Sequence, residues 1–405
     1  MENTVGLTDF SILQSNRKFR KRVILAYKRP KGQKRERTNF TMSFQLEWAY
    51  WPLKFKFAAG TSRGVLHQKD SYILRLTHPD YPERIGYGEI SVLPGLSPEC
   101  DSPHWVQTMY TSWLNEKSAW IDPFKAPHVE NYTSSFSFAL ECAWAQWSRH
   151  TSMSTFLDTP FFDPIAINGL IWMGDEAWME KQIEEKLEAG FTTLKMKVGA
   201  LDLSIEKRLL KKIRSVASSQ DLTLRVDANG AFDPSKALDI LHDLAAFDIH
   251  SIEQPIRPGL WEATAHLCRH SPIPIALDEE LIGVQNLDQK KHLLNWIQPA
   301  YIILKPSLHG GISSSQSWIQ LAEETSSGWW MTSALESNLG LHAICQLTST
   351  YRPKLPQGLG TGSLYHNNIP SPLTVQDGTI QYNLNGPSWD LGFLDFHAQP
   401  VDPLP

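Results

Sequence analysis

Acidic residues stand at the ends of three successive predicted strands. The segments "LTLRVDA", "SIEQP" and "PIALDE" carry Asp227, Glu253 and Asp278. Because side chains alternate along a strand, each carboxylate points away from the apolar residues beside it. The carboxyl ends of parallel barrel strands meet at one edge, so these three groups can converge there. Carboxylates with no His or Cys among them favour Mg²⁺, with water and substrate completing its coordination.

Lysines occupy comparable positions on the neighbouring predicted strands. "TLKMKVG" alternates apolar residues with Lys195 and Lys197, and "YIILKPS" carries Lys305. A lysine near a divalent cation and a second lysine is expected to have a lowered pKa, and it can then act as a base. We interpret Lys197 as that base and Lys195 as its electrostatic neighbour, which can also contact a substrate carboxylate. With a metal bound, such a site can remove a proton beside a carboxylate and stabilise the resulting enediolate.

Two simpler interpretations of these charges stay open. Lys195 and Lys197 could lie on the exposed face of a strand, where lysines are common. Any single inward charge could be one half of a structural ion pair. Charges at the same level of five consecutive strands are harder to explain by packing, and they favour a site.

The elements that carry these residues form a repeating pattern from about residue 163 onwards. Short apolar segments alternate with helical patterns, from "PIAINGL" to "QGLGTG". The first helix is predicted to begin at the N-cap Asp175, to carry Met179, Ile183 and Leu187 on one apolar stripe, and to end near Gly190. Eight strands in one parallel series predict a TIM-type (β/α) barrel, and no glycine-rich phosphate motif follows the first strand as a dinucleotide-binding fold would require.

The first part of the chain has a different pattern. Alternating segments between about 43 and 100 predict strands, and about 103–150 is helical in pattern, which together predict an α+β domain. The stretch 16–37 carries eleven Lys or Arg and one Glu. We interpret 1–41 as a basic, disordered extension before an alternative start at Met42, although such an arm could also contact nucleic acid or anionic lipid.

The overall composition is that of a globular protein. The chain has 405 residues, of which 41% are hydrophobic, and a formal net charge of −5, which argues against a nucleic-acid-binding protein as a whole. No apolar run is long enough to predict a membrane span. Four scattered cysteines without metal-binding spacing predict a reducing compartment, and therefore a cytoplasmic location.

Five motifs in this order resemble the enolase superfamily: "LKMK", "RVDANGAF", "IEQP", "ALDEE" and "LKPSLHGG". More narrowly, "AGTSRGVL", "INGLIWMG", "SALESNLGL" and "PQGLGTGSLYHNNIPSPL" resemble the o-succinylbenzoate synthases of menaquinone biosynthesis. The resemblance implies an α/β fold: a modified (β/α)7β TIM-type barrel at about 161–365. It also implies an N-terminal α+β capping domain at about 42–160, and a C-terminal segment, 366–405, that returns to this domain.

The resemblance also implies roles for the charged residues. Asp227, Glu253 and Asp278 would bind one Mg²⁺. Lys197 would be the acid/base, and Lys305 would stabilise the enediolate from the opposite side. The implied reaction is the syn dehydration of a small molecule, 2-succinyl-6-hydroxy-2,4-cyclohexadiene-1-carboxylate, to o-succinylbenzoate, which is a carbon–oxygen lyase reaction.

Further residues are candidates for substrate contact on the same grounds. The loop "AGTSRG", with Arg63, would close over the pocket. Asn229, Ser333 and Arg225 are candidates for binding the substrate. Arg225 could equally be a structural partner of a ligand carboxylate.

Two other functions compete with this one. A site with two lysines suits a racemase such as N-acylamino acid racemase, because each lysine could be the base for one enantiomer. Dipeptide epimerases of the superfamily are expected to carry an Asp-x-Asp pair at the eighth strand, where this chain has "GLGTG". A non-catalytic binding protein on an enolase-like body is disfavoured, because all six charged groups are present.

Overall fold

The computed structural model describes residues 43–61, 64–120, 122–150 and 163–401. Arg63 and the basic stretch 1–41 therefore lie outside the described residues. Within the described ranges, none of the helices combines the length and the apolar character that a membrane crossing needs.

The N-terminal part of the described chain is an antiparallel sheet covered by helices. Its three strands are β1 (Gln45–Thr61), β2 (Gly64–Thr77) and β3 (Gly86–Ser91). They are followed by α1 (Trp105–Glu116) and α2 (Ser134–Arg149). The backbone of α2 lies directly on β3, because a Cβ atom at Gly88 would overlap the carbonyl oxygen of Ala139. This close contact explains why "YGE" places glycine in the middle of a strand.

A sheet of seven parallel strands follows, with its strands in sequence order. The strands are β5 (Gly169–Ile171), β6 (Thr193–Lys197), β7 (Thr223–Asp227), β8 (Ser251–Glu253), β9 (Ile275–Leu277), β10 (Tyr301–Leu304) and β11 (Gly328–Met331). One helix follows each strand: α3 (Glu176–Glu188), α4 (Leu203–Val216), α5 (Ala237–Leu244), α6 (Trp261–His270), α7 (Leu287–Ile297), α8 (Gly311–Glu324) and α9 (Asn338–Ser349). Short 3-10 turns occur at Pro98–Asp101, Lys117–Ala119, Ala245–Phe247, Glu279–Leu281 and Gly360–Ser363.

The segment around Gln357 closes this sheet into a barrel. Gln357 forms a parallel bridge with Ile167, and Gly358 forms one with Thr332, so the segment connects the two edges of the sheet. Seven strand–helix pairs followed by this eighth strand-like segment match the predicted (β/α)7β barrel. One predicted strand was wrong in detail: "PIAINGL" is divided into β4 (Ile165–Ala166) and the start of β5. The first of these two pieces pairs with a separate hairpin, β12 (Leu373–Gln376) and β13 (Thr379–Tyr382).

The first barrel helix, α3, begins and ends where the sequence predicts. The carboxylate of Asp175 accepts a hydrogen bond from the backbone N–H of Trp178, which satisfies a free donor at the start of α3. Met179 and Ile183 are buried on the inner face of the helix, and Leu187 is partly buried against the same core. Gly190 follows the helix with a positive φ of 76°.

The end of the described chain contacts the N-terminal sheet. The backbone groups of Trp48 and His397 exchange two hydrogen bonds, of 2.8 and 2.9 Å. The ring of Phe393 lies 4.6 Å from that of Trp51. These contacts agree with a C-terminal segment that returns to the N-terminal domain, and the exact domain boundaries stay a prediction.

Candidate active site

Parallel register sets the charged residues side by side. The Cα atom of Asp227 is paired with Lys197 on one side and with Glu253 on the other. Asp278 and Lys305 directly follow the next two strands. All five face the barrel interior at its carboxyl-terminal edge, because they share one side of the alternation along their strands.

Each carboxylate of this row contacts an ammonium group. Lys195 Nζ lies 2.7 Å from Glu253 Oε2 and 3.0 Å from Asp227 Oδ2. Lys197 Nζ lies 3.1 Å from the same oxygen of Asp227. Lys305 Nζ pairs with Asp278 Oδ2. The carboxylates are therefore paired as buried charges must be.

The exposed-face interpretation of the two neighbouring lysines is wrong. The side chains of Lys195 and Lys197 are only 12% and 11% exposed. The ion-pair interpretation describes real contacts, but it does not exclude a site, because both lysines also line a cavity. Buried charges around an open cavity are typical of active sites.

Burial and charge pairing act against each other on these groups. Burial alone would raise the pKa of Asp227, but the ammonium groups of Lys195 and Lys197 hold that pKa well below its ordinary value. Burial alone would lower the pKa of Lys195, but the carboxylates of Asp227 and Glu253 raise it. The lowered lysine pKa that is expected beside a bound cation stays a prediction.

Among the three carboxyl groups, Glu253 alone has a raised pKa. Burial, together with the neighbouring charge of Asp227, raises the pKa of Glu253 well above its ordinary value. The pKa of Asp278 is lowered instead, because the charge of Lys305 outweighs its burial. A cation bound at this point would favour the ionised form of Glu253.

The same carboxylates have oxygens to offer a metal ion. Glu253 Oε1 and Asp278 Oδ1 are buried and have no hydrogen-bond partner among the described residues. Oxygen-only donors suit a hard cation such as Mg²⁺. Within the described ranges, no three acidic, His or Cys side chains are already spaced to hold a metal. The donor set fits Mg²⁺. Binding of the cation would require the ammonium groups of Lys195 and Lys305 to move away from Glu253 and Asp278.

A cavity of about 620 Å³ lies over this row of charges. Its polar lining includes the three lysines. Its apolar lining includes Phe57 and Leu66 from the N-terminal sheet, and Leu93 from the loop after β3. The N-terminal domain therefore covers the carboxyl-terminal edge of the barrel, where barrel enzymes bind substrates. Phe57 and Leu66 flank the predicted "AGTSRG" loop.

The candidate Asn229 contacts the proposed base. Its Oδ1 accepts a hydrogen bond of 2.5 Å from Lys197 Nζ, and its Nδ2 donates to Glu279 Oε1 at 3.0 Å. Its backbone φ is 44°, in the left-handed region that asparagine tolerates. Asn229 lines the cavity, and its contact with a substrate stays a prediction.

Ser333 and Arg225, the other two candidates for substrate contact within the described residues, lie at different depths in the barrel. Ser333 lines the cavity, and its hydroxyl donates to Glu336 Oε2 at 2.6 Å. Arg225 lies deeper in the barrel, where its guanidinium is 4.0 Å from the ring centroid of Trp330 and donates to the carbonyl of Pro356 at 2.8 Å. Neither contact is with a ligand carboxylate, so both interpretations of Arg225 stay predictions.

Aromatic residues of the cavity were missed by reasoning from charges. Trp172 and Phe57 line the cavity, with ring centroids 5.8 Å apart. A signal for Trp172 was present, because it directly follows β5 and so occupies a strand-end position like those of the charged groups. No pattern in the sequence placed Phe57 over the barrel.

Known proteins resemble this chain over most of its length. The family profile described as "Enolase C-terminal domain-like" matches residues 178–387. The o-succinylbenzoate synthase of Desulfotalea psychrophila is 43% identical over 366 residues, which cover 83% of this chain and 98% of that protein. The chain belongs to the o-succinylbenzoate synthase family. Another member, from Thermosynechococcus vestitus, is 26% identical over 78% of this chain and 91% of its own length.

Membership of the o-succinylbenzoate synthase family is also evident in three dimensions. The crystal structure of MenC from Desulfotalea psychrophila matches this structure with a TM-score of 0.70 and 39% identity, over 84% of this chain and 99% of that one. The predicted fold class, a (β/α)7β barrel with an N-terminal α+β domain, is thus confirmed.

Proposed function

We propose that this member of the family catalyses the syn dehydration of 2-succinyl-6-hydroxy-2,4-cyclohexadiene-1-carboxylate to o-succinylbenzoate. One observation carries the proposal beyond family membership. Lysines at the carboxyl ends of β6 and β10 stand on either side of carboxylates at the carboxyl ends of β7, β8 and β9, and all three lysines line one cavity. A substrate over the carboxylates would have an amine on each side.

Lys197 is proposed as the acid and base of the reaction. Its Nζ takes the proton from the ring carbon that bears the carboxylate, and the electron pair of that C–H bond moves into an enediolate. The pair then forms the new ring double bond as the C–O bond breaks. Nζ returns the proton to the departing hydroxyl on the same face, so water leaves and the ring becomes aromatic. Asp227 Oδ2 and Asn229 Oδ1 hold Nζ in place for both transfers.

Lys305 and Lys195 are proposed to stabilise charge. The ammonium group of Lys305 faces the enediolate from the side opposite to Lys197, and it makes its strongest interaction when that charge has formed. Lys195 is proposed to contact the substrate carboxylate. The apolar residues Phe57, Leu66 and Trp172 limit the access of water to these charges, which strengthens their interactions.

Asp227, Glu253 and Asp278 are proposed to hold one Mg²⁺. When bound, this cation supplies Lewis-acid stabilisation of the negative charge on the substrate carboxylate. The two carboxylate oxygens that have no partner in the described chain, on Glu253 and Asp278, support the assignment.

A cytoplasmic location and a role in menaquinone biosynthesis belong to the same proposal. The four cysteines are all free, which supports a reducing compartment. The proposed partner is a small-molecule substrate, with no nucleic acid and no membrane.

The direct test is turnover of the purified protein. Formation of the aromatic product is followed by ultraviolet absorbance in Mg²⁺ and in excess chelator, and each enantiomer of an N-acylamino acid is incubated in parallel. We expect aromatic product only when the divalent cation is present. Efficient racemisation of N-acylamino acids without any aromatic product would replace the proposed function by the racemase alternative.

A further inference from the structure

The segment that carries Lys305, residues 305–311, connects β10 to α8. β10 pairs with β9 through Tyr301 and Ile302, several residues before Lys305. The backbone N–H of Lys305 donates to the side chain of His309 instead, with 3.0 Å between the nitrogen and Nδ1. The imidazole of His309 thus takes the place of a strand partner at the point where the lysine leaves the sheet.

His309 is itself fixed by its surroundings. Its side chain is 1% exposed, and its backbone N–H donates to the carbonyl of Lys305 at 3.0 Å. The carbonyl of His309 accepts a hydrogen bond from the hydroxyl of Ser314, and that hydroxyl accepts one of 2.6 Å from Lys290 Nζ. Burial lowers the pKa of His309 to about 3, so the ring is neutral and can accept a hydrogen bond at Nδ1.

The other end of the segment is held by the N-terminal domain. The carboxylate of Glu141, on α2, accepts hydrogen bonds from the backbone N–H of Ile312 at 2.5 Å and from that of Ser313 at 3.2 Å. These are free donors at the start of α8, where a carboxylate is also favoured by the helix dipole. A Cβ atom at Gly311 would overlap Glu141 Oε2, and the φ of this glycine is 87°. The segment therefore has little freedom at either end.

We propose that His309 is a positioning residue for Lys305. Its Nδ1 fixes the peptide at Lys305, and this peptide sets the direction in which the four-carbon stem carries Nζ towards the cavity. The inference rests on the proposed role of Lys305 as the group that stabilises the enediolate. A small rotation of the peptide is amplified along the stem, and a misplacement of about 1 Å can cost about 10²-fold in rate.

Two variants separate this role from simple support of the fold. His309→Leu has a similar size but no acceptor, so the N–H of Lys305 is left buried without a partner. His309→Asn places an amide oxygen close to the position of Nδ1 and restores an acceptor. Both variants are measured at pH 8 with Mg²⁺ for kcat, KM and melting temperature.

The expected result is a loss confined to kcat. His309→Leu should lower kcat by up to about 10²-fold with KM close to the wild-type value, because Lys305 acts on charge that forms only during the reaction. His309→Asn should recover most of the lost kcat. A lower melting temperature in His309→Leu with an unchanged kcat of the folded enzyme would overturn the proposal.

A second measurement does not need turnover. The rate at which acetic anhydride modifies Lys305 Nζ is measured by mass spectrometry, with Lys197 as the internal reference. His309→Leu should change the ratio of Lys305 to Lys197 labelling, and His309→Asn should restore it. If the wild type forms no o-succinylbenzoate, the proposed function fails while this measurement still tests His309. A labelling ratio that is the same in all three proteins would overturn the positioning role.

Discussion

Replacing Lys305 by methionine should strongly destabilise the metal-free protein. Methionine keeps an unbranched stem but removes the ammonium group that pairs with Asp278. The side chain of Asp278 is 0% exposed, and its Oδ1 has no hydrogen-bond partner among the described residues. Removing one partner of a buried ion pair costs about 3–5 kcal/mol. Urea unfolding in chelator, followed by tryptophan fluorescence, measures the loss.

Lys197→Met is the matched control within the same site. Asp227 lies 3.1 Å from Lys197 Nζ but also 3.0 Å from Lys195 Nζ, so it keeps one cation when Lys197 is lost. The loss of unfolding free energy should therefore be clearly smaller than for Lys305→Met. Added Mg²⁺ should reduce the difference in unfolding free energy between the two variants, because a cation bound at Asp278 replaces the missing ammonium charge.

The two variants should also differ in chemistry. Lys305→Met should slow dehydration by about 10²–10³-fold, the loss typical of one donor to a developing oxyanion. It should leave Lys197 able to exchange the α-proton of one enantiomer of an N-acylamino acid with solvent deuterium, as measured by NMR. Lys197→Met should abolish that exchange and slow dehydration by at least about 10²–10⁴-fold, the contribution of a general base.

Two results would refute this reasoning. Equal unfolding free energies for the two metal-free variants would show that Asp278 does not depend on Lys305 for its charge compensation. Dehydration that survives in Lys197→Met but not in Lys305→Met would show that Lys197 does not carry out the proton transfer.

Three further predictions concern the metal, the N-terminal stretch and pH. Asp227→Asn or Glu253→Gln should lose Mg²⁺ binding by calorimetry and turnover together, and full activity in excess chelator would contradict the metal assignment. A chain that begins at Met42 should have the melting temperature and the turnover of the full chain, because residues 1–41 differ from the rest of the sequence in charge pattern. A large drop in melting temperature or in turnover would show that this stretch packs on the enzyme. Burial raises the pKa of Glu141 to about 7 from an ordinary value of 4.5, so this group lowers stability progressively as pH rises between those values and has no further effect above them. Between these pH values, the unfolding free energy of Glu141→Gln should fall by about 3 kcal/mol less than that of the wild type, as measured by urea unfolding. Identical pH profiles for both proteins would show that Glu141 titrates normally.

The charged row could be predicted from the sequence because it depends on local rules. Alternation along a strand decides which side of the strand each residue faces, and a parallel series brings all carboxyl ends to one edge. Asp227, Glu253 and Lys305 needed only these two rules to be placed at one site. The N-cap at Asp175 is equally local, since it depends on a hydrogen bond to a residue three positions away.

The partners of these charges were decided by the tertiary structure. Alternation does not say how deep in the barrel a residue lies, and Arg225 shares its side with Asp227 but stacks on Trp330 below the cavity. Depth depends on how the strands are staggered when the barrel closes, which is a property of all eight strands together. The contact of Asn229 with Lys197 depends on the pairing of β6 with β7, which sets Lys197 beside Asp227.

The family resemblance implied that a capping domain and the "AGTSRG" loop cover the site, but local rules could not name the side chains that line it. Phe57 and Leu66 lie more than a hundred residues before the barrel lysines, and no local signal brings them to the cavity. Glu141 meets the start of α8 across 171 positions of the chain. The types and order of the strand-end residues determined the chemistry, because strand geometry is local. Only the packing of the N-terminal domain on the barrel decided which groups enclose and orient that chemistry, because those contacts join residues that are far apart in the chain.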